Sequence, residues 1–327
     1  MKYREALRAG LLEEMERDET VFVLGEGIGE RGGSYKVTEG LMAKFGAGRV
    51  IDTPLSEAGF VGLGAGAAIA GRRPVVELLF IDFALQTMDQ VVNQAAKYRF
   101  MSGGEGRVPM VIRTQGGTGN SLAGQHSQSL EALFAHIPGL KVVMPATPRD
   151  AKGLLKSAIR DDDPVMFIEH KLLYMTDGDV PEGEELIPIG VADVKREGTD
   201  VTLVSWSHMV LKCLQAAEQL AADGIAVEVV DLRSLAPWDA ETVLASVRKT
   251  GRLVVAHEAV RRGGFGGEVA ATVAERAFDA LKAPIVRVAG LNTTIPFNLG
   301  LERVSVPQVA DIVAGVRSVL AREVAAG

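Results

Sequence analysis

The chain has 327 residues, 47% of them hydrophobic and 24% charged, a globular composition with enough length for two separately cored domains. Its 35 Lys and Arg against 42 Asp and Glu leave a net charge of -7, which argues against a general attraction to nucleic acid or anionic lipid. The single cysteine, Cys213, precludes an internal disulfide framework, and the charged start Met1-Lys2-Tyr3-Arg4-Glu5 lacks the apolar core of a signal peptide, so a cytoplasmic protein is expected.

Taken in chain order, short β-branched runs at 21–24, 50–52, 75–80, 110–113, 142–144 and 165–168 predict strands buried on both faces. Between them, apolar periodicity predicts helices over 3–17, 56–70, 84–101, 127–136 and 148–160. The most apolar uncharged run, 58–71, is too short and too rich in glycine to span a bilayer, and no membrane association is expected. Acidic residues, prolines and glycines then break the pattern over 175–198. Alternation resumes with strands at 201–206, 226–231, 253–257 and 285–288 and helices at 209–222, 239–248, 268–281 and 306–320, where Cys213 reads as a buried thiol. The expected fold is therefore α/β with parallel sheets. It comprises a first domain over 1–180, a connector over 181–199 and a smaller α/β domain over 200–327.

Two glycine clusters invite a phosphate-binding reading. Gly27-Ile28-Gly29-Glu30-Arg31-Gly32 follows the first strand, and Asp52 ends the next, as in a dinucleotide fingerprint. The fingerprint needs a helix to open directly on its glycines, whereas Gly33-Ser34-Tyr35 follows here, and Glu26 and Glu30 would oppose a dianion. A structural loop is the better reading, with an NAD-binding dehydrogenase kept as the alternative of another class. The cluster Gly263 to Gly267, next to Arg261 and Arg262, reads as a tight strand-to-helix turn or a subunit contact.

Two residues carry candidate chemistry. Glu57, in DTPLSEAGF, begins a helix that continues VGLGAGAA. A first-turn carboxylate can simply balance the helix dipole. So many glycines, however, cost helix stability unless something must approach closely, which places Glu57 at a crowded contact. His126 lies in the polar loop GNSLAGQHSQS between a strand and a helix. There it is either a ligand-facing side chain or a surface residue capping the next helix.

These segments resemble the β subunits of the thiamine diphosphate-dependent first components of 2-oxo acid dehydrogenases, of the pyruvate, branched-chain and acetoin types. The resemblance extends through ELLFIDFALQTMDQVVNQAAKYRFMSGG, GQHSQSLEALFAHIPGLKVVMPATPRDAKGLLKSAIRDDDPV and IPIGVADVKREGTDVTLVSW, nearly the whole chain. It implies a transketolase-like pyrimidine-binding domain followed by a transketolase-like C-terminal domain.

The resemblance also implies roles. Glu57 is the carboxyl group that bonds N1′ of the cofactor's aminopyrimidine, Phe83 packs against that ring, Gln86 is a polar neighbour, and His126 faces the substrate. Met110, Ala158, Ile159, Asp161 and Asp163 are similar to a structural potassium site, although the family often has Asn where this chain has Asp162 or Asp163. The expected reaction is decarboxylation of a 2-oxo acid, or cleavage of acetoin, with reductive acylation of a lipoyl group. HEAVRRGGFGGEVAA and the Asp82-Phe83 pair lean toward the acetoin branch, and half of a transketolase-like enzyme is the nearest alternative.

No Gly-Asp-Gly occurs in the chain, so the resemblance assigns Mg²⁺ and the diphosphate to another polypeptide. An α subunit is implied, in an assembly of two α and two β chains that shares thiamine diphosphate. The β subunits would meet through the C-terminal domain, with a lipoyl acyltransferase as further partner.

Overall fold

A computed structural model of the chain describes residues 1–321, so the end of the expected 200–327 domain lies outside the description. By internal contacts it forms two units, Met1–Gly116 with Leu133–Ile189, and Gly117–Ala132 with Gly190–Gly327. The division at Ile189 falls inside the expected connector. The segment 117–132, expected within the first domain, groups instead with the second unit. Among the described residues no helix is long and apolar enough to cross a membrane.

In the first unit the strands are β1 (Val21–Gly25), β2 (Val50–Asp52), β3 (Arg73–Leu78), β4 (Val111–Gly116), β5 (Lys141–Val143) and β6 (Val165–His170). They run parallel in the order β5-β6-β4-β3-β1-β2. Strands β1, β4 and β6 are buried along their length, as their apolar runs require. The helices of this half of the chain are α1 (Tyr3–Arg17), α2 (Leu41–Phe45), α3 (Glu57–Ile69), α4 (Ala96–Met101), α5 (Glu131–Ala135) and α6 (Pro148–Arg160). Helix α6 starts as its sequence dictates, with Pro148 in its first turn and the Thr147 side chain accepting the Asp150 N–H at 3.2 Å. It packs on α1, where buried Glu14 receives Arg160 and Glu13 receives Lys152 and Lys156.

Two expected helices are corrected. The 84–101 stretch is a 3₁₀ turn at Ile81–Thr87, a π-helix at Asp89–Ala95 and only then α4. Thr87 spends its hydroxyl on the Ala84 carbonyl at 2.8 Å, a local bond that competes with regular α-helix. Over 127–136 only α5 is helical, because the Gln128 carbonyl accepts the Gly117 N–H at 3.0 Å instead of a helical partner.

A buried charge cluster lies across the middle of this sheet. Arg113 on β4 donates to Glu169 on β6, with its second bond to Glu169 at 3.1 Å, and to Glu77 on β3, while the Tyr174 hydroxyl donates to Glu169. Burial alone would lower the Arg113 pKa, but the Glu169 and Glu77 charges outweigh it and hold the guanidinium charged. The 27–33 glycine loop rests on this cluster: Tyr35 stacks on Tyr174 at 4.5 Å, and a Cβ on Gly33 would lie 3.2 Å from Glu77. Asp52 accepts the Gly29 N–H at 2.8 Å, and a Cβ on Gly32 would collide with Glu39. The fingerprint glycines are thus required by the chain's own packing, and α2 begins only at Leu41.

In the second unit β8 (Val201–Ser205), β9 (Val227–Asp231), β11 (Leu253–Val260) and β12 (Val286–Gly290) follow β7 (Asp193–Arg196), with a short β10 (Ser234–Ala236) after β9. The sheet order is β12-β11-β8-β9-β7. Strand β7, antiparallel to β9, lies in the stretch expected to be connector; its four half-buried residues carry too little apolar pattern to be read as a strand. Helices α7 (Met209–Ala221), α8 (Ala240–Thr250), α9 (Gly266–Arg276), α10 (Leu299–Ser305) and α11 (Val309–Leu320) complete it. Leu203, Val229, Val254, Cys213, Ile312 and Val316 form its core. Burial pushes the Cys213 thiol up to about 12.

The second glycine cluster packs on His257 of β11. A Cβ on Gly264 or Gly266 would lie 2.6 Å from the imidazole, whose ring stacks on Trp206 at 5.3 Å. Burial first, and the Arg287 charge second, push this imidazole down to about 4. Because the folded value lies below the ~6.5 of a free histidine, the neutral ring's contribution is complete above pH ~6.5 and is lost as pH falls through about 4. This unit therefore loses on the order of 3 kcal/mol across that window. In urea melts, the wild-type midpoint should fall from pH 6.5 to 4.5 more steeply than that of His257→Gln, and equal slopes would contradict the assignment.

Candidate active site

Parallel sheets place ligand chemistry outside the carboxyl ends of their strands. In the first unit those ends deliver Glu26 after β1, Thr53 after β2 and the Phe80–Phe83 segment after β3. Glu57 is the first residue of α3 and is 8% exposed. Gly64 lets α3 sit close to the sheet, because a Cβ there would lie 2.7 Å from Val76. Gln90, on the π-helix, lies against Gly62 of α3, where a Cβ would meet its Cγ at 3.4 Å. π-helical turns occur often at functional sites.

Glu26 and Glu57 lie close enough to feel each other's charge. Burial first, and the Glu57 charge second, raise the pKa of Glu26. Glu26 Oε1, Thr53 Oγ1 and Gln90 Oε1 are buried without a hydrogen-bond partner among the described residues. Buried polar atoms are normally satisfied, so these oxygens, after β1, after β2 and on the π-helix beside α3, fit a bound group that carries hydrogen-bond donors, as an aminopyrimidine does. Phe83 is half-buried and meets Phe80 edge to face at 5.8 Å, while Gln86 is exposed. Glu57 and Phe83 thus stand at the same carboxyl edge. Glu26, which in the sequence marks only a charge opposed to a dinucleotide, directly follows β1, and that place at the carboxyl end of a strand is the signal for it.

His126 is half-buried on the loop of the second unit, and its N–H reaches the Ala123 carbonyl at 3.4 Å. The five expected cation ligands gather where α6 turns into β6. The carbonyls of Ile159 and Asp161 accept Arg73 at 3.0 and 2.9 Å, those of Met110 and Ala158 accept the Val165 and Asp161 N–H groups, and the Asp161 carboxylate holds Lys141 at 2.6 and 2.7 Å. Asp162 pairs with Arg73 and Arg107, and Asp163 with Arg99. Each acid of the run Asp161 to Asp163 is thus matched by a basic side chain of the chain itself.

Residues 1–176 match the family described as transketolase, pyrimidine binding domain, and residues 190–312 match transketolase, C-terminal domain. A pyruvate dehydrogenase E1 component subunit beta of Rhizobium meliloti is 48% identical over 320 residues, covering 98% of this chain and 70% of that protein. The protein of the same name from Rickettsia felis is 48% identical, covering 97% of each chain. The chain belongs to this family of first-component β subunits.

As a first-component β subunit it is part of a thiamine diphosphate-dependent oxidoreductase, and its two-domain α/β fold is the transketolase-like one. A solved split-gene transketolase, described as an inactive beta4 tetramer, matches it with a TM-score of 0.80 at 25% identity, covering 99% of each chain. The mitochondrial β-1 subunit of rice is 47% identical over 328 residues, covering 99% of this chain and 88% of the relative.

Proposed function

We propose that this β subunit, joined to an α subunit, decarboxylates pyruvate and delivers the acyl group to a lipoyl group. The observation that carries the reading is the buried Glu57 at the head of α3, with Glu26 near enough to feel its charge and unsatisfied polar atoms on Glu26, Thr53 and Gln90. In this reading Glu57 holds and exchanges a proton at N1′ of the aminopyrimidine, and Phe83 offers its ring as a packing face. Thr53, Gln86 and Gln90 supply hydrogen bonds, and His126 moves a proton at the substrate. Bound thiamine diphosphate supplies the carbon nucleophile that attacks the oxo group. Acetoin is the second substrate reading, favoured by the Asp82-Phe83 pair and the His257 to Ala271 segment.

In this reading the α subunit holds Mg²⁺ and the diphosphate, which is supported by the lack of a Gly-Asp-Gly in this chain. Contact with that subunit, in an α₂β₂ assembly, is supported by α3 and the turn before it, where Leu63 and Leu55 are 56% and 82% exposed and a Cβ on Gly66 would meet nothing within 4 Å. Such a face, apolar and smooth, suits a close neighbour. A monovalent cation is proposed at the main-chain oxygens of Met110, Ala158 and Ile159, each of which keeps a second lone pair, with Asp161 and Asp163 as flanking acids. Contact between β subunits through the second unit and docking to a lipoyl acyltransferase complete the proposal.

The test is co-expression with the α chain and a ferricyanide-coupled assay of pyruvate, branched 2-oxo acids and acetoin, with and without thiamine diphosphate. Turnover of pyruvate is expected only from the assembled protein with cofactor. Gly66→Leu should leave the isolated β chain folded but abolish co-purification of α; normal assembly would remove α3 from the interface.

A further inference from the structure

The loop that carries His126 is built from conformations it does not favour. Gly117, Gly119, Ser121 and Ala123 all have positive φ, at 82, 117, 52 and 62°. For the two non-glycine residues this conformation is disfavoured, so something else must hold the loop in place. Gly124 touches the segment before α10, where a Cβ would fall 2.4 Å from Thr294 Cγ2. Behind the loop, however, lies a cavity of about 370 Å³ lined in part by Thr118, Gly124, Ser127, Glu258 and Arg262. Close packing therefore does not fix the loop on that side.

Two carboxylates of the second unit do. Glu302 on α10, 1% exposed, uses both oxygens: Oε1 accepts the Gly119 N–H at 2.8 Å and Oε2 the Ser121 N–H at 3.1 Å. Glu258 on β11 accepts both the N–H and the hydroxyl of Thr118, at 2.6 and 2.9 Å. The N–H groups of Thr118, Gly119 and Ser121 thus each meet a carboxylate of the same unit. Bonds from N–H groups to an ionised carboxylate are about twice as strong as neutral ones.

We propose that Glu302, with Glu258, is a positioning residue for His126, holding the loop so that the imidazole is presented in one place. The proposal rests on the reading of His126 as the residue facing the substrate. A misplacement of about 1 Å in such a group can cost on the order of 100-fold in rate.

The experiment is a double-mutant cycle in the assembled α and β enzyme, with Glu302→Gln, His126→Ala and the pair. Gln places an amide NH₂ against a backbone N–H, so one of the two clamps is lost. With His126 present, Glu302→Gln should lower kcat by about 10- to 100-fold, with faster hydrogen exchange over 117–126 and a melting temperature close to wild type. With His126 already removed, the same substitution should cost less than about threefold. Equal losses in both backgrounds would overturn the proposal, since a merely structural residue acts without regard to His126. Unchanged kcat in Glu302→Gln beside a crippled His126→Ala would sink the positioning role alone. Full turnover in His126→Ala would sink the reading of His126 itself, and the proposal with it. Should Glu302→Gln fail to fold, Thr118→Val, which removes the hydroxyl bond to Glu258 at nearly constant shape, replaces it in the cycle: a smaller loss confined to the His126 background supports the proposal, and no loss overturns it.

Discussion

Glu57→Gln, assembled with its α subunit, is expected to lose about 10²- to 10⁴-fold in turnover while still forming the complex and binding the cofactor. The substitution keeps size, burial and the ability to hydrogen-bond, so α3 retains its first turn. What it removes is the capacity to exchange a proton. The neighbouring Glu26 cannot substitute, because it sits on a different strand end and is itself pushed toward the protonated form by burial and by Glu57. Steady-state turnover of pyruvate, measured alongside gel filtration and cofactor titration, checks the prediction. A variant with more than a tenth of wild-type activity would return Glu57 to the role of a carboxylate balancing a helix dipole. A variant that no longer binds the cofactor at all would instead make Glu57 a binding group first.

Arg113→Met should destabilise the chain by about 3–5 kcal/mol, the cost of leaving buried acids without their cation. Glu77 and Glu169 flank Arg113 on neighbouring strands, and Glu169 is fully buried, so at least that carboxylate cannot reach bulk water when the guanidinium is gone. The diagnostic is the compensated variant. Arg113→Met with Glu77→Gln and Glu169→Gln should recover much of the loss in denaturant melts, because buried ion networks replaced as a set are often close to neutral. No recovery would mean that the damage comes from lost packing. The Gly27 to Gly33 loop should loosen in the single variant, since Tyr174 and Glu77 are what Tyr35 and Gly33 rest on.

The fold was legible where burial on both faces forces continuous apolar strands, as in β1, β4 and β6, and where caps are written in the residues themselves, as at Thr147-Pro148. It was not legible where long-range bonds decide local structure. Residues 127–130 carry a helical pattern, yet the Gln128 carbonyl is taken by Gly117. Nor does any local pattern announce that Asp193–Arg196 would find an antiparallel partner in β9. Within the candidate site, Glu57 stood out because a glycine-rich helix needs a reason. Glu258 and Glu302 did not, because a carboxylate that serves backbone N–H groups about 140 and 180 residues away has no signature in its own neighbourhood. The glycine fingerprint shows the converse: its spacing was real, and its cause was Asp52 and Glu39 of the same chain.

The excursion of residues 117–132 means that the polypeptide passes between the two units three times, at Gly116, Ala132 and Ile189. A single crossover between the genes of two relatives therefore cannot exchange the second unit intact. A joint after Ile189 would bring Glu302 from one parent and the loop it clamps from the other, so hybrids cut there inherit a mismatched pair. Recombinants should survive mainly when the short inner segment travels with the distant end, and ancestry traced through residues 117–132 should follow that of residues 190–321 more closely than that of the strands on either side.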